Sequence, residues 1–144
     1  MVVSGGLADT GAILALLDRD DDWHTACADA FGSLRLPLLT SSAVLTELFH
    51  LVSASHREVR AAWGFVRSGA LRVSPVSDAD LPTLHELMER YSDRPMDFAD
   101  ATLVHLAQRE QLNLVFTIDH NDFETYRIGK RRRFRIVPPR SASG

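Results

Sequence analysis

The chain has 144 residues and 16.0 kDa, with 16 basic against 19 acidic side chains, 45% apolar residues and one cysteine. A chain of this size buries a little over two-thirds of its unfolded surface, roughly 23,000 Å² falling to about 7,400 Å², which fits one core and excludes two. Abundant Leu, Val, Ile and Phe at a formal charge of -3 exclude disorder, and the solitary Cys27 excludes a disulfide framework or a structural zinc tetrad.

The start lacks the basic, apolar pattern of a signal peptide, and no run of about 18 apolar residues occurs, so the expectation is a cytoplasmic protein without a membrane segment. Taken in chain order, Val2, Val3, Leu7 and Ala8 flank Ser4-Gly5-Gly6 and predict a first strand that is short or interrupted by glycine. Ile13, Leu14, Leu16 and Leu17 recur at helical spacing and predict a helix over Thr10 to Leu17. Asp20-Asp21-Asp22 complements the dipole of a helix from Trp23 to about Leu34. Leu36 to Thr40 reads as a buried strand, after which Ser41 or Ser42 caps a helix reaching Ser53.

A further helix over Arg57 to Arg67 stops at Ser68-Gly69, and Leu71 to Val73 is a short strand. Ser77 with Asp80 three residues on forms a capping box for a helix ending near Tyr91. A long helix from Asp97 to Gln111 leads into the strongest strand, Asn113 to Thr117, and Phe134 to Val137 predicts a last strand before Pro138. Strands separated by helices imply an α/β fold: one domain over residues 1–138, a mainly parallel central sheet flanked by helices on both faces, and a flexible tail over 139–144.

Ligands of parallel α/β sheets bind at the carboxyl ends of the strands. Asp9 follows the first strand and Asp119 follows the strongest one, so both fall at one sheet edge. Glu47 sits one turn into its helix among apolar residues, where a glutamate needs a partner. Asp97 and Asp100 share one face of a helix's first turn. Taken singly each acid serves as a cap or turn residue; taken together, four segments deliver acids to one edge. At separations near 5 Å each pair would repel by roughly 3 kcal/mol, a load of about 20 kcal/mol over six pairs, so the acids must be protonated or a cation must neutralise them. Oxygen ligands alone favour hard ions such as Mg2+ or Mn2+. The chemistry so implied is metal-assisted hydrolysis of a phosphodiester.

These residues resemble the PIN-domain ribonucleases, of the kind found as VapC toxins in bacterial toxin–antitoxin pairs, from Leu7 to about Val137. Its carriers are Ala8-Asp9-Thr10-Gly11-Ala12 with His24 downstream, Ser42 to Leu48 around Glu47, Asp97-Phe98-Ala99-Asp100-Ala101, and Phe116 to Phe123 around Asp119. The resemblance implies that Asp9, Glu47, Asp100 and Asp119 are catalytic and bind Mg2+ or Mn2+, with Asp97 sharing the third role and Asp122 a weaker companion of Asp119. It further implies that the Thr10 and Thr117 hydroxyls steady a carboxylate or a water, that hydrolysis is a single step leaving a 5′-phosphate and a 3′-hydroxyl, and that the partners are an RNA substrate, a cognate antitoxin and a second copy of the chain. The interruption at Ser4-Gly5-Gly6 departs from the unbroken first strand usual in the family.

Lys130, Arg131, Arg132, Arg133 and Arg135 concentrate five of the sixteen positive charges, either to contact RNA phosphates or to guard an exposed edge strand. Cys27 reads as buried filler, Trp23 and Trp63 as packing or interface residues, and His120 as a possible neighbour of substrate beside Asp119. Two rival readings are a phospho-receiver signalling module, which would need adjacent acids after the first strand and an acceptor Asp ending a middle one, and a catalytically inactive PIN scaffold used for binding.

Overall fold

The computed structural model describes residues 4–94 and 96–142. In chain order the elements are β1 (Leu7–Ala8), α1 (Thr10–Leu17), α2 (His24–Gly32), β2 (Leu38–Ser41), α3 (Ser42–Val52), α4 (His56–Val66) and β3 (Leu71–Ser74). A 3-10 turn, Asp78–Asp80, then precedes α5 (Leu81–Arg90), α6 (Phe98–Glu110), β4 (Leu114–Phe116), α7 (His120–Thr125), β5 (Arg127–Ile128), β6 (Arg132–Arg133) and β7 (Arg135–Val137). Five strands form one parallel sheet in the order β3-β2-β1-β4-β7, while β5 and β6 pair as a separate antiparallel hairpin. The α/β expectation holds.

The chain builds outward from β1 through β2 to β3, then returns to the other side of β1 as β4 and β7. The order therefore reverses between β1 and β4, and a crevice opens at the carboxyl ends of those two strands. Leu7, Ala8, Leu38, Leu39, Val115 and Phe116 make the sheet interior, with Ile13, Leu48, Leu103 and Val104 packed on it from the helices. Strands this apolar are buried on both faces, as a helix-covered parallel sheet requires.

Glycine at the first strand is a packing requirement. A Cβ on Gly5 would lie 2.1 Å from the Arg35 carbonyl oxygen, and one on Gly6 would lie 2.8 Å from that of Leu114. The backbone still pairs there: Gly5 N–H donates to Pro37 O at 3.2 Å and Gly6 O accepts from Leu39 N at 2.8 Å. The interruption foreseen in the sequence thus shortens the strand to two residues without breaking its alignment. Val2 and Val3, also assigned to that strand, lie outside the described residues.

Capping fixes where the helices begin. Ser41 caps α3, its hydroxyl accepting from Val44 N at 3.2 Å, and Ser77 with Asp80 forms the predicted capping box, although a 3-10 turn intervenes before α5. Two elements were not foreseen: α7, whose start reads in sequence as a turn, and the hairpin that carries much of the basic run. In the expected tail from residue 139, Arg140–Ala142 forms a 3-10 turn, and Arg140 donates to Asn121 Oδ1 at 2.8 Å and Glu124 Oε2 at 3.0 Å. Residues 143 and 144 lie outside the described residues.

Candidate active site

The carboxyl ends of β1 and β4 lead into Asp9 and Asp119. Asp9 leaves β1 in extended conformation and caps α1, its Oδ1 accepting from Thr10 N at 2.9 Å. Its Oδ2 accepts from the Thr117 hydroxyl at 2.8 Å, and that hydroxyl oxygen accepts from Asp119 N at 3.0 Å. One buried threonine therefore sets both the Asp9 rotamer and the backbone that presents Asp119. Asp97 caps α6, accepting from Asp100 N at 2.7 Å, and Asp119 caps α7, accepting from Asp122 N at 3.4 Å. The capping reading and the site reading hold together, because a helix start is what aims these carboxylates into the crevice.

Asp9, Thr10, Glu47, Asp97, Asp100 and Asp119 line a single cleft of about 370 Å³. The four acids named as catalytic and Asp97 all line it, while Asp122 lies outside its lining. Among the described residues, Asp100, Asp119 and Asp122 each bring a carboxylate oxygen within 4.8 Å of the others. Asp122 thus moves from weaker companion to a member of the acid cluster. Arg94 supplies a local counter-charge, donating to Asp122 Oδ1 at 3.3 Å and to Asn121 O at 3.0 Å.

Burial shapes the titration of this cluster. Asp9 and Asp100 are almost wholly shielded, at 7% and 6% exposure. Desolvation pushes the Asp9 carboxyl up to about 6 against the opposing hydrogen bonds from Thr117 and Thr10, with Glu47 and Asp119 adding smaller repulsion. Asp100 is raised to about 8, first by burial and then by Asp9 and Asp97, and Asp119 is raised to about 6, first by burial and then by Asp122. The sequence reasoning placed mutual repulsion first; loss of water is the larger cause.

Two residues reveal what sequence reasoning missed or left unspecified. The buried Tyr126 hydroxyl donates to Asp100 Oδ2 at 2.8 Å, from a ring packed edge-on against Tyr91 and Phe123. It lies 26 positions from Asp100 and no local motif signals it. The Thr10 hydroxyl lines the cleft, is 2% exposed and has no hydrogen-bond partner among the described residues. A buried hydroxyl of this kind has room to bond a water or an ion in the cleft, and it shares its unpartnered state with Ser4 Oγ and Arg72 Nε. Raised carboxylates, an all-oxygen donor set and an orphaned hydroxyl fit a hard, hydrated dication.

His120 is buried and stacked on Trp23, its Nε2 2.8 Å from Pro138 O and its Nδ1 3.1 Å from Ile118 O, so it is a packing residue here. Cys27 is buried, and burial pushes its thiol up to about 11, as inert filler requires. Lys130, Arg131, Arg132 and Arg133 are exposed on the β5–β6 hairpin and its turn, outside the lining of the acid cleft.

Residues 7–129 match the family model of the PIN domain. The chain belongs to the PIN domain family. This PIN domain is 29% identical over 135 residues to Ribonuclease VapC26 of Mycobacterium tuberculosis, covering 92% of this chain and 99% of that protein. It also superposes on the crystal structure of VapC20 from Mycobacterium tuberculosis, a sarcin-ricin loop cleaving toxin, with a TM-score of 0.71 and 25% identity, covering 81% of this chain and 93% of that one. The likeness therefore runs along nearly the full length of both relatives. The expectation of a PIN-type nuclease is met in family, fold and enzyme class, and the phospho-receiver alternative is set aside. No helix among the described residues is long and apolar enough to cross a membrane.

Proposed function

We propose that this protein is a Mg2+- or Mn2+-dependent endoribonuclease, the toxin of a toxin–antitoxin pair, acting in the cytoplasm. The observation that carries this reading is the gathering of Asp9, Glu47, Asp97, Asp100 and Asp119 around one cleft at the strand-order reversal, with the Thr10 hydroxyl left unpartnered inside it. The likeness to a named ribonuclease and to a toxin that cleaves the sarcin-ricin loop supports RNA as the substrate class and a cognate antitoxin as partner.

Asp9, Glu47, Asp100 and Asp119 are the residues that would hold the ion, with Asp97 and Asp122 at its margin. When bound, such a dication supplies Lewis-acid activation of water and neutralises charge at the scissile phosphate. The chain's own part is positional. Thr117 fixes Asp9, Tyr126 fixes Asp100, and the caps of α6 and α7 keep Asp97 and Asp119 at the mouth. Without neutralisation the acids would repel an RNA phosphate, so substrate entry and ion binding are coupled. The Lys130 to Arg133 turn and hairpin offers positive charge for phosphates further along the strand. Assembly as a homodimer or as a toxin–antitoxin hetero-oligomer completes the reading.

Cleavage of cellular RNA tests it. The wild type cuts with Mg2+, stops in EDTA and recovers when Mg2+ or Mn2+ is restored; Asp9→Asn stays folded and does not cut. Equal cleavage by Asp9→Asn, or cleavage indifferent to EDTA, would sink the assignment.

A further inference from the structure

A second opening of about 610 Å³ lies between the first turns of α3 and α6 and shares Glu47 and Asp97 with the acid cleft. Elsewhere its lining is mainly apolar, from Ala43, Val76, Phe98 and Ala99. No arginine or lysine among the described residues lines it. Phe98 is 42% exposed there although it opens a helix whose next residues are buried core. Its backbone is held in place, because Asp97 caps the same turn through Asp100 N.

We infer that this pocket is a nucleobase subsite, taking the base of the RNA nucleotide next to the scissile phosphate with Phe98 as its stacking surface. The inference deepens the ribonuclease reading and rests on it. A phosphate is a poor occupant, since two carboxylates stand on the shared wall and, among the described residues, no arginine or lysine faces them. A base suits both parts of the lining: it is uncharged, it has a flat face for the phenyl ring, and its edge carries N–H donors that carboxylates accept. An apolar peptide side chain would fill the floor but bring Glu47 no donor. The shared wall also places the two openings side by side, as a phosphate and its attached nucleoside require.

The pocket offers specificity as well as affinity. Thr46 and His50 lie along its α3 side, within the lining but outside the acid cleft, where they face a bound base and not the reacting phosphate. A stacked base contributes affinity for any sequence, while edge contacts distinguish one base from another.

The test measures KM, kcat and the cleavage-site profile on a pool of short random-sequence RNAs with Mg2+, with melting curves confirming that each variant is folded. Phe98→Ala and Phe98→Leu are expected to raise KM by about 5- to 150-fold, the span of losing one base–aromatic stack, with kcat little changed. Both should flatten base preference at one position beside the cut, and Phe98→Trp should retain it. Thr46→Trp, which fills the pocket from an exposed helix position, should reproduce the Phe98→Ala result. An unchanged KM and profile in Phe98→Ala and Thr46→Trp would overturn the inference, as would wild-type behaviour of Phe98→Leu or a fall in kcat alone. Normal RNA kinetics combined with lost binding of an antitoxin would assign the pocket to a protein instead. In all these cases the wild type cleaves and Asp9→Asn does not, so the nuclease reading survives. A folded wild type that cuts no RNA with Mg2+ would remove that reading and this inference with it.

Discussion

Asp100 shows how much of the site's chemistry is set by a single neighbour. Its carboxyl is raised to about 8 by burial, and the Tyr126 hydroxyl is the one donor that opposes the rise. Tyr126→Phe removes that donor with little change of volume. It is expected to weaken Mn2+ affinity by about 10- to 100-fold, as loss of a ligand-orienting partner does, with the melting temperature lowered by only a few degrees. Isothermal titration of Mn2+ into the variant checks this, and unchanged affinity would show that Asp100 needs no such support. Asp9, Asp97, Asp100 and Asp119 were legible in sequence because each follows a strand or opens a helix, and Glu47 because a glutamate among apolar helix residues needs a partner. Tyr126 was not, because its role depends on the chain after α7 returning to Asp100 in the first turn of α6, which no spacing encodes. The approach of Asp122 to Asp100 is likewise a tertiary fact.

Elements were more legible than contacts. Apolar periodicity, caps and helix stops located α1 to α6 and the five strands of the parallel sheet, although α2 and α4 each bury a single residue fully, Cys27 and Ala62. The six-residue α7 offers only Phe123 as a buried apolar anchor and starts at an acid that reads equally well as a turn. The β5–β6 hairpin is short and rich in arginine, and only Ile128 on it is buried. At the other end of the chain, glycine marks the close approach of Gly6 to Leu114, which brings β1 and β4 together and so brings Asp9 near Asp119. Gly6→Ala would place a methyl group 2.8 Å from the Leu114 carbonyl oxygen. The expected cost is about 1–3 kcal/mol, read as a lower urea midpoint, together with reduced activity as the two strand ends separate. A midpoint equal to wild type would show that the strands relax without penalty.

For the whole molecule, the cleft stores a conflict between stability and function. Asp9, Asp100 and Asp119 keep their protons in the fold up to about pH 6, 8 and 6, whereas in the unfolded chain they lose them near 3.8. Stability from these groups is therefore full below pH 3.8 and falls as pH rises toward 8. Asp80 and Glu124 are lowered and act in the opposite sense, but below their ordinary values of 3.8 and 4.5, outside that window. Without divalent ions the melting temperature should fall between pH 5 and 8, and saturating Mg2+ should flatten the decline because bound cation favours the ionised fold. A metal-free melting temperature that rises across this interval would contradict the burial account.

The central claim is that carboxylates from distant segments form one dication site, and Mn2+ binding followed by electron paramagnetic resonance at neutral pH measures it most directly. The account predicts saturable binding by the wild type, its loss in Asp100→Asn, and full retention when the exposed acids Asp20 and Asp22 are changed to asparagine. Equal binding by Asp100→Asn, or loss only on removing Asp20 and Asp22, would contradict it.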